Sequence, residues 1–466
     1  MKKKKWRVLA IIAGVVALFA VGVVFYSNRE HADYVRAAKL LPTARREAEA
    51  MFGPLTWEEY RAENGITVED DLSKWEDVAA TIPRKVKALY ETYPSPGTER
   101  AVFIAERDWF DQIGSQLEEL RVMHVPMADG EFSEYSFGSP CREIAKALWT
   151  GILGAAEEGD AEAVLAIARA SNSMIAKMDA EPAVIHHLIT HAMVAMFDGA
   201  LLRSAVKYRS NPAVLKSIRT VLDERPRIPA IGEVLSAEAR SKSIHLQHLR
   251  KLSPYEINEW LNDYAGSVLT AKTEPPLLRF LYDAWERVSG ERRQTGKQTA
   301  AALEARYWKV LAEYAILFER LVANEPGARK EIVALAAFME NTLDRSYEIA
   351  PAPYFSLLID GHIKFGFGES ALRAAVELIE RYPVHADVPN ALPSDLSFAD
   401  PFGGDPIIFR KTARGFLIYS RFTNEIDDGF PVDYPDQLGE EARFAFAFDR
   451  KDYGLIVSYD PNTPVP

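Results

Sequence analysis

From residue 98 to about 380, apolar side chains recur at three- and four-residue spacings, the period of helices that bury one face. The pattern predicts helices over 98–122, 141–157, 160–179, 181–208, 211–224, 229–251, 253–268, 274–289, 292–324, 326–346 and 368–382. EEGD at 157–160 and SNP at 210–212 leave room only for tight reversals, so neighbouring helices are expected to run antiparallel. The segments 141–157 and 160–179 read as one tetratricopeptide-like hairpin, in which Ala147, Gly151, Ala155 and Ala163 allow close approach. No repeat of that period continues along the chain. The pattern therefore favours an irregular antiparallel helical domain, with a repeat-like stack as second choice.

The pattern departs from this at both ends. Residues 8–26, VLAIIAGVVALFAVGVVFY, carry no charge, and as a helix they would be roughly 28 Å long, close to the ~30 Å hydrocarbon core of a bilayer. Lys2, Lys3, Lys4, Lys5 and Arg7 precede the run, which predicts a cytoplasmic segment at 1–7, a transmembrane anchor at 8–26 and everything later on the far side. The rival is a cleaved signal peptide with Ala20 and Gly22 at the cleavage site; Val23, Val24, Phe25 and Tyr26 continue the run and favour the anchor. A polar helical stalk follows over 27–55 and breaks at Gly53 and Pro54. Thr56 and Glu59 form a capping box that starts another helix, Asn64 and Gly65 end it, and an amphipathic stretch runs from 71 to 90.

Beyond 391 the period changes from helical to alternating. IIFRK and GFLIYS are short β runs joined by a turn at 412–415, and FAFAFD with LIVSY extends the hairpin to a small sheet. The expected fold is mainly α: a transmembrane helix, stalk and leading helices over 27–97, a helical ectodomain over 98–390 and a small β cassette over 391–466.

Composition narrows the function classes. A net charge of −12, with the one dense basic cluster beside the apolar run, argues against a nucleic-acid partner. The single cysteine, Cys141, excludes an intrachain disulfide and reads as a buried or half-buried thiol at the opening of a helix. Trp57, Trp75, Trp109, Trp149, Trp260, Trp285 and Trp308 occupy helical positions and are expected in cores. Glu69, Asp70, Asp71, Glu157 and Glu158 sit at helix ends, where carboxylates cap and solvate. GFGES at 366–370 lacks a phosphate-loop lysine and reads as a helix-entry turn.

His186, His187 and His191 fall on one helix, and His187 and His191, four apart, share a face as in helical zinc sites. Leu188 follows His187 where a zinc protease places its general-base glutamate. His187 and His191 are expected to pack partly buried against neighbouring helices or to line a groove. The alternative is a metal-dependent hydrolase built on His187 and His191, with His245 or His248 as third ligand.

A helix ending in Tyr382-Pro383, then Asp400, Pro401, Phe402 and Gly403, a strand, and Tyr419-Ser420 leading into an acidic loop resemble the C-terminal region of the major pseudopilins of type II secretion. In those proteins the final loop holds calcium. The resemblance implies a calcium loop here with Asp427 and Asp428, to which Asn424 and Glu425 add oxygens toward the six to eight that calcium takes. It covers about 60 of 466 residues. Arg421, Phe422 and Thr423 stand where the pattern has a glycine and a further acid, Gly404 and Asp405 are additional, and MKKKKWRVLAIIAG lacks a prepilin processing sequence. The likeness thus does not imply a pilus subunit. The whole arrangement also resembles uncharacterised membrane-anchored bacterial proteins. The functional expectation is a single-pass protein of the bacterial cytoplasmic membrane, N-terminus inside, whose extracytoplasmic helical domain binds another envelope protein without evident catalysis.

Overall fold

Thr56 caps a helix as its sequence predicts, its Oγ1 accepting from Glu59 N at 3.2 Å and donating to the Glu59 carboxylate at 2.9 Å. The computed structural model describes residues 35–66, 72–91, 98–122, 138–251, 296–322, 331, 334, 352–400, 405–412, 415–420, 442–446 and 453–459. These are mainly helical, with one small antiparallel sheet. Helix α1 covers 35–52. It is followed by α2 (Trp57–Glu63), α3 (Leu72–Thr81), α4 (Arg84–Glu91), α5 (Thr98–Ala105), α6 (Arg107–Glu119), α7 (Gly138–Glu158), α8 (Ala161–Met178) and α9 (Val184–Lys207). Then come α10 (Pro212–Asp223), α11 (Ile231–Leu249), α12 (Gly296–Val322) and α13 (Ala352–Arg381), and strands β1 (Ile408–Lys411), β2 (Gly415–Ser420), β3 (Ala442–Phe446) and β4 (Tyr453–Ser458).

Among the described residues no helix is long and apolar enough to cross a membrane. The expected anchor at 8–26, the helices at 253–268 and 274–289, and the loop of Asn424, Glu425, Asp427 and Asp428 lie outside the described residues, as does nearly all of 326–346.

The chain divides into two units that cut across the linear order of segments. One comprises 1–65, 239–317 and 334–352, the other 66–238, 318–333 and 353–466. In the first, α1 ends at Gly53, whose φ of 72° is a conformation that glycine adopts without strain. Trp57 is fully buried on α2, its Nε1 donating to Ser241 Oγ at 3.3 Å. The Arg240 guanidinium lies over Tyr60 at 3.9 Å and over Trp57 at 4.9 Å, so two aromatic faces hold a buried cation. Glu304 on α12 accepts from Trp308 Nε1 at 3.2 Å and from Arg250 Nε at 2.9 Å.

The second unit is organised on α7, whose Ile144, Ala145, Ala147, Leu148, Ile152, Ala155 and Ala156 are completely buried. Helices α5, α8 and α9 pack on it, and α6 and α10 pack on α8. The α7–α8 hairpin forms as the sequence predicts. Gly159 takes φ 77°, and Asp160 caps α8 by accepting from Ala163 N at 2.9 Å and pairs with Arg107 at 2.6 Å.

Three boundaries differ from the sequence reading. The stretch 71–90 is two helices, because Pro83 has no N–H with which to continue α3 and instead opens α4, its carbonyl accepting from Lys87 N at 3.0 Å. The stretch 98–122 bends at Glu106, so that Phe103 meets Gly154 and Phe110 meets Gly151 on α7. The residues of GFGES are not a helix-entry turn. They lie inside α13, which starts near 352, because burial of Phe367, Ala371 and Leu372 outweighs the roughly 1 kcal/mol helix penalty of each glycine.

The sheet has the order β1-β2-β4-β3, antiparallel throughout, with Phe409 opposite Ile418 and Leu417 opposite Ile456. Every residue of β2 is buried. Gly454 lies so close to Tyr419 that a Cβ there would come within 2.6 Å of Tyr419 Cβ. Asp400 accepts from Ser420 Oγ at 2.6 and 2.8 Å, and its N–H donates to Asp405 O at 2.6 Å, closing the turn before the hairpin. Arg209 at the end of α9 donates to Pro383 O at 3.1 Å and lies over the Tyr459 ring, whose hydroxyl donates to Tyr382 O at 3.2 Å, so the sheet is held to the exit of α13.

Candidate functional site

Within the second unit, the end of α8, the first turns of α9, the segment after α10 and the middle of α13 enclose a cleft of about 140 Å³. Ile175, Ala176, Asp179, Thr190, Arg225 and Phe365 are among its lining residues, with Pro226, Arg227 and Ile228 completing the wall. Local sequence explains the placement of Asp179 and Arg225. Asp179 is the C-cap of α8, its N–H donating to Ile175 O, which puts its side chain at a helix end. Pro226 disfavours helical geometry at the residue before it, so α10 stops and Arg225 leaves the helix. Ala183, the N-cap of α9, offers no side-chain bond; the buried Glu238 carboxylate accepts from Val184 N at 3.2 Å instead.

Arg225 is the cleft's buried cation, its side chain 2% exposed. Nη2 donates to the carboxylate of Asp198, itself buried on α9. Nε and Nη1 have no hydrogen-bond partner among the described residues. Burial pushes the Asp198 carboxyl above its usual range, and the attraction of Arg225 opposes that shift. Glu369 and Arg373 add a carboxylate and a guanidinium nearby, bonded to each other at 3.1 Å.

The histidines form a second cluster against the same elements. His187 is completely buried, and its Nδ1 lies 3.1 and 3.2 Å from the two oxygens of Asp179. The His187 and His191 rings are 4.0 Å apart, and His191 stacks on Phe365 at 4.8 Å with planes 15° apart. Gly361 makes room for that stack, since a Cβ there would lie 3.0 Å from His191 Nδ1. His186 points elsewhere on the helix; burial lowers its pKa from the ordinary 6.5 to about 4, against the pull of Glu181. Cys141 is buried, and burial pushes its thiol up to about 12, far from a reactive thiolate.

The shared face of His187 and His191 is thus as the four-residue spacing implies, but both are buried, His187 completely, where partial burial was expected. No group of three or more His, Cys, Asp or Glu is arranged for a metal ion among the described residues. The side chains of His245 and His248, the third-ligand candidates, lie outside them. Sequence reasoning passed over Asp179, Arg225, Thr190 and Phe365. The only available signals were an Arg-Pro step at a helix exit and an acid eight residues before His187, and neither is periodic. No protein-family model matches the chain, and no curated protein or solved structure matches it either.

Proposed function

We propose that the chain is a single-pass protein of the bacterial cytoplasmic membrane whose extracytoplasmic helical domain works by binding another envelope protein. The observation that carries this reading is the uncharged run at 8–26 behind four lysines and an arginine, whose length suits a bilayer and whose flank sets its orientation. The packing of the histidines fits a binding domain, since His187 is completely buried and His191 stacks on Phe365 between helices. The acidic composition keeps nucleic acid from the list of partners. The test is photo-crosslinking of the full-length chain in its own membranes, with probes at the exposed apolar residues Ile104 and Val384 and controls at exposed Lys74 and Arg227. A discrete adduct with one protein at the apolar positions supports the reading. A chain that stays free at every position overturns it.

The second reading is a metal-dependent hydrolase. It draws on the His187–Asp179 contact, since a carboxylate on one ring nitrogen commonly orients a histidine that ligates metal through the other. Metal analysis of the purified full-length chain separates the two. Stoichiometric zinc favours the hydrolase, and calcium alone favours the pseudopilin-like loop of Asn424, Glu425, Asp427 and Asp428.

A further inference from the structure

Helix α1 buries one side, through Ala48 and Phe52, and leaves an apolar strip on another. Leu40 is 57% exposed, more than any other large apolar side chain among the described residues, and Met51 is 41% exposed. At 3.6 residues per turn, the eleven positions from Leu40 to Met51 come back to within about 20° of the same direction, so both side chains lie on one strip. Arg36, Lys39 and Arg46 are exposed on the adjoining sector, about 40° to 120° around the helix from Leu40. Glu47 is the one acid of 35–52 on that outward side, while Glu49 pairs with Arg45 at 3.1 Å on the far side. The outward face is therefore apolar and basic, in a chain whose net charge is −12.

The place of α1 in the chain limits what can cover that face. The uncharged run ends at Tyr26 and α1 begins at residue 35. Eight residues at no more than about 3.5 Å each reach roughly 28 Å, so a chain tethered by that run keeps α1 beside the bilayer. An apolar strip next to a basic one is the pattern of a helix lying in the membrane interface. The strip enters the boundary between headgroups and acyl chains, and long cationic side chains reach back to anionic headgroups.

We propose that α1 lies on the bilayer surface, with Leu40 and Met51 inserted and Arg36, Lys39 and Arg46 among anionic lipid headgroups. This assignment rests on the tether reading and adds a second, peripheral contact with the same membrane.

The test uses the full-length chain in nanodiscs of equimolar phosphatidylcholine and phosphatidylglycerol. Cys141 is completely buried, so a cysteine introduced as Leu40→Cys, Met51→Cys, Glu49→Cys or Lys74→Cys is the one reachable thiol for an environment-sensitive fluorophore. Nitroxide-bearing lipid should quench the label at 40 and 51 and leave those at 49 and 74 bright. Combining Arg36→Glu, Lys39→Glu and Arg46→Glu, all at exposed positions, should abolish most of that quenching. A disc-bound chain whose labels at 40 and 51 stay as bright as the controls overturns the surface assignment and leaves the tether standing. Labels at 40 and 51 that are shielded from water yet unquenched mean that a protein covers the strip, and also overturn it. So does quenching unchanged in the triple variant. A chain that does not enter the discs overturns the tether and this assignment with it.

Discussion

His186 shows how a single buried side chain sets a response of the whole protein. Its imidazole is neutral in the fold down to about pH 4, whereas in the unfolded chain it takes a proton near 6.5. Between those values the unfolded state binds the extra proton, so stability is full above 6.5 and is lost as pH falls toward 4, by about 3 kcal/mol at about 1.4 kcal/mol per unit. Urea unfolding at pH 7 and pH 4.5 should show this loss, and His186→Leu should flatten the dependence. The Arg225–Asp198 pair makes the opposite demand. Arg225→Met leaves a buried carboxylate without its partner and should destabilise by about 3–5 kcal/mol, while adding Asp198→Leu should restore most of that. Denaturation midpoints of the single and double variants check it. Neither effect was legible in the sequence. Residues 198 and 225 are brought together by a helix reversal, and nothing in the hydrophobic period marks either one.

At the scale of elements the sequence was more informative, because caps and reversals are local chemistry. Thr56, Asp160 and Asn211 each accept from backbone N–H groups at the helix starts implied by their positions. The hairpin turn at 412–415 is closed by Thr412 N donating to Gly415 O at 2.9 Å. What failed was reading the glycines of GFGES at 366–370 as a helix-entry turn, whereas Gly53 and Gly65 do end their helices. In α13 the glycines sit inside the helix, and on α7 they are contact points. A Cβ at Gly154 would lie 2.4 Å from Phe103 Cβ and 2.6 Å from Glu99 O, so Gly154→Ala forces α5 away and should destabilise by about 1–3 kcal/mol. Gly199 on α9 has nothing within 4 Å of such a Cβ, so Gly199→Ala should be neutral or stabilise by up to ~1 kcal/mol. Thermal unfolding of the two variants, with opposite signs expected, measures how far close approach governs the α5–α7 packing.

For the whole molecule, the helical class and the small C-terminal sheet followed from the switch between two periods, one near 3.6 and one of two. The division into units did not, because helices distant in sequence share one unit, and linear segments carry no record of that pairing. The cleft was missed for the same reason: its walls come from four elements spread over 191 positions between Ile175 and Phe365. The functional account instead rests on the uncharged run at 8–26, and its central claim is that this run tethers the remainder outside the cytoplasm. The most direct measurement is protease accessibility of the full-length chain, tagged at its C-terminus, in intact spheroplasts. The account predicts that the chain sediments with membranes and that the tag is lost to external protease before lysis. A chain found in the soluble fraction, or a tag digested only after the membrane is opened, would contradict it.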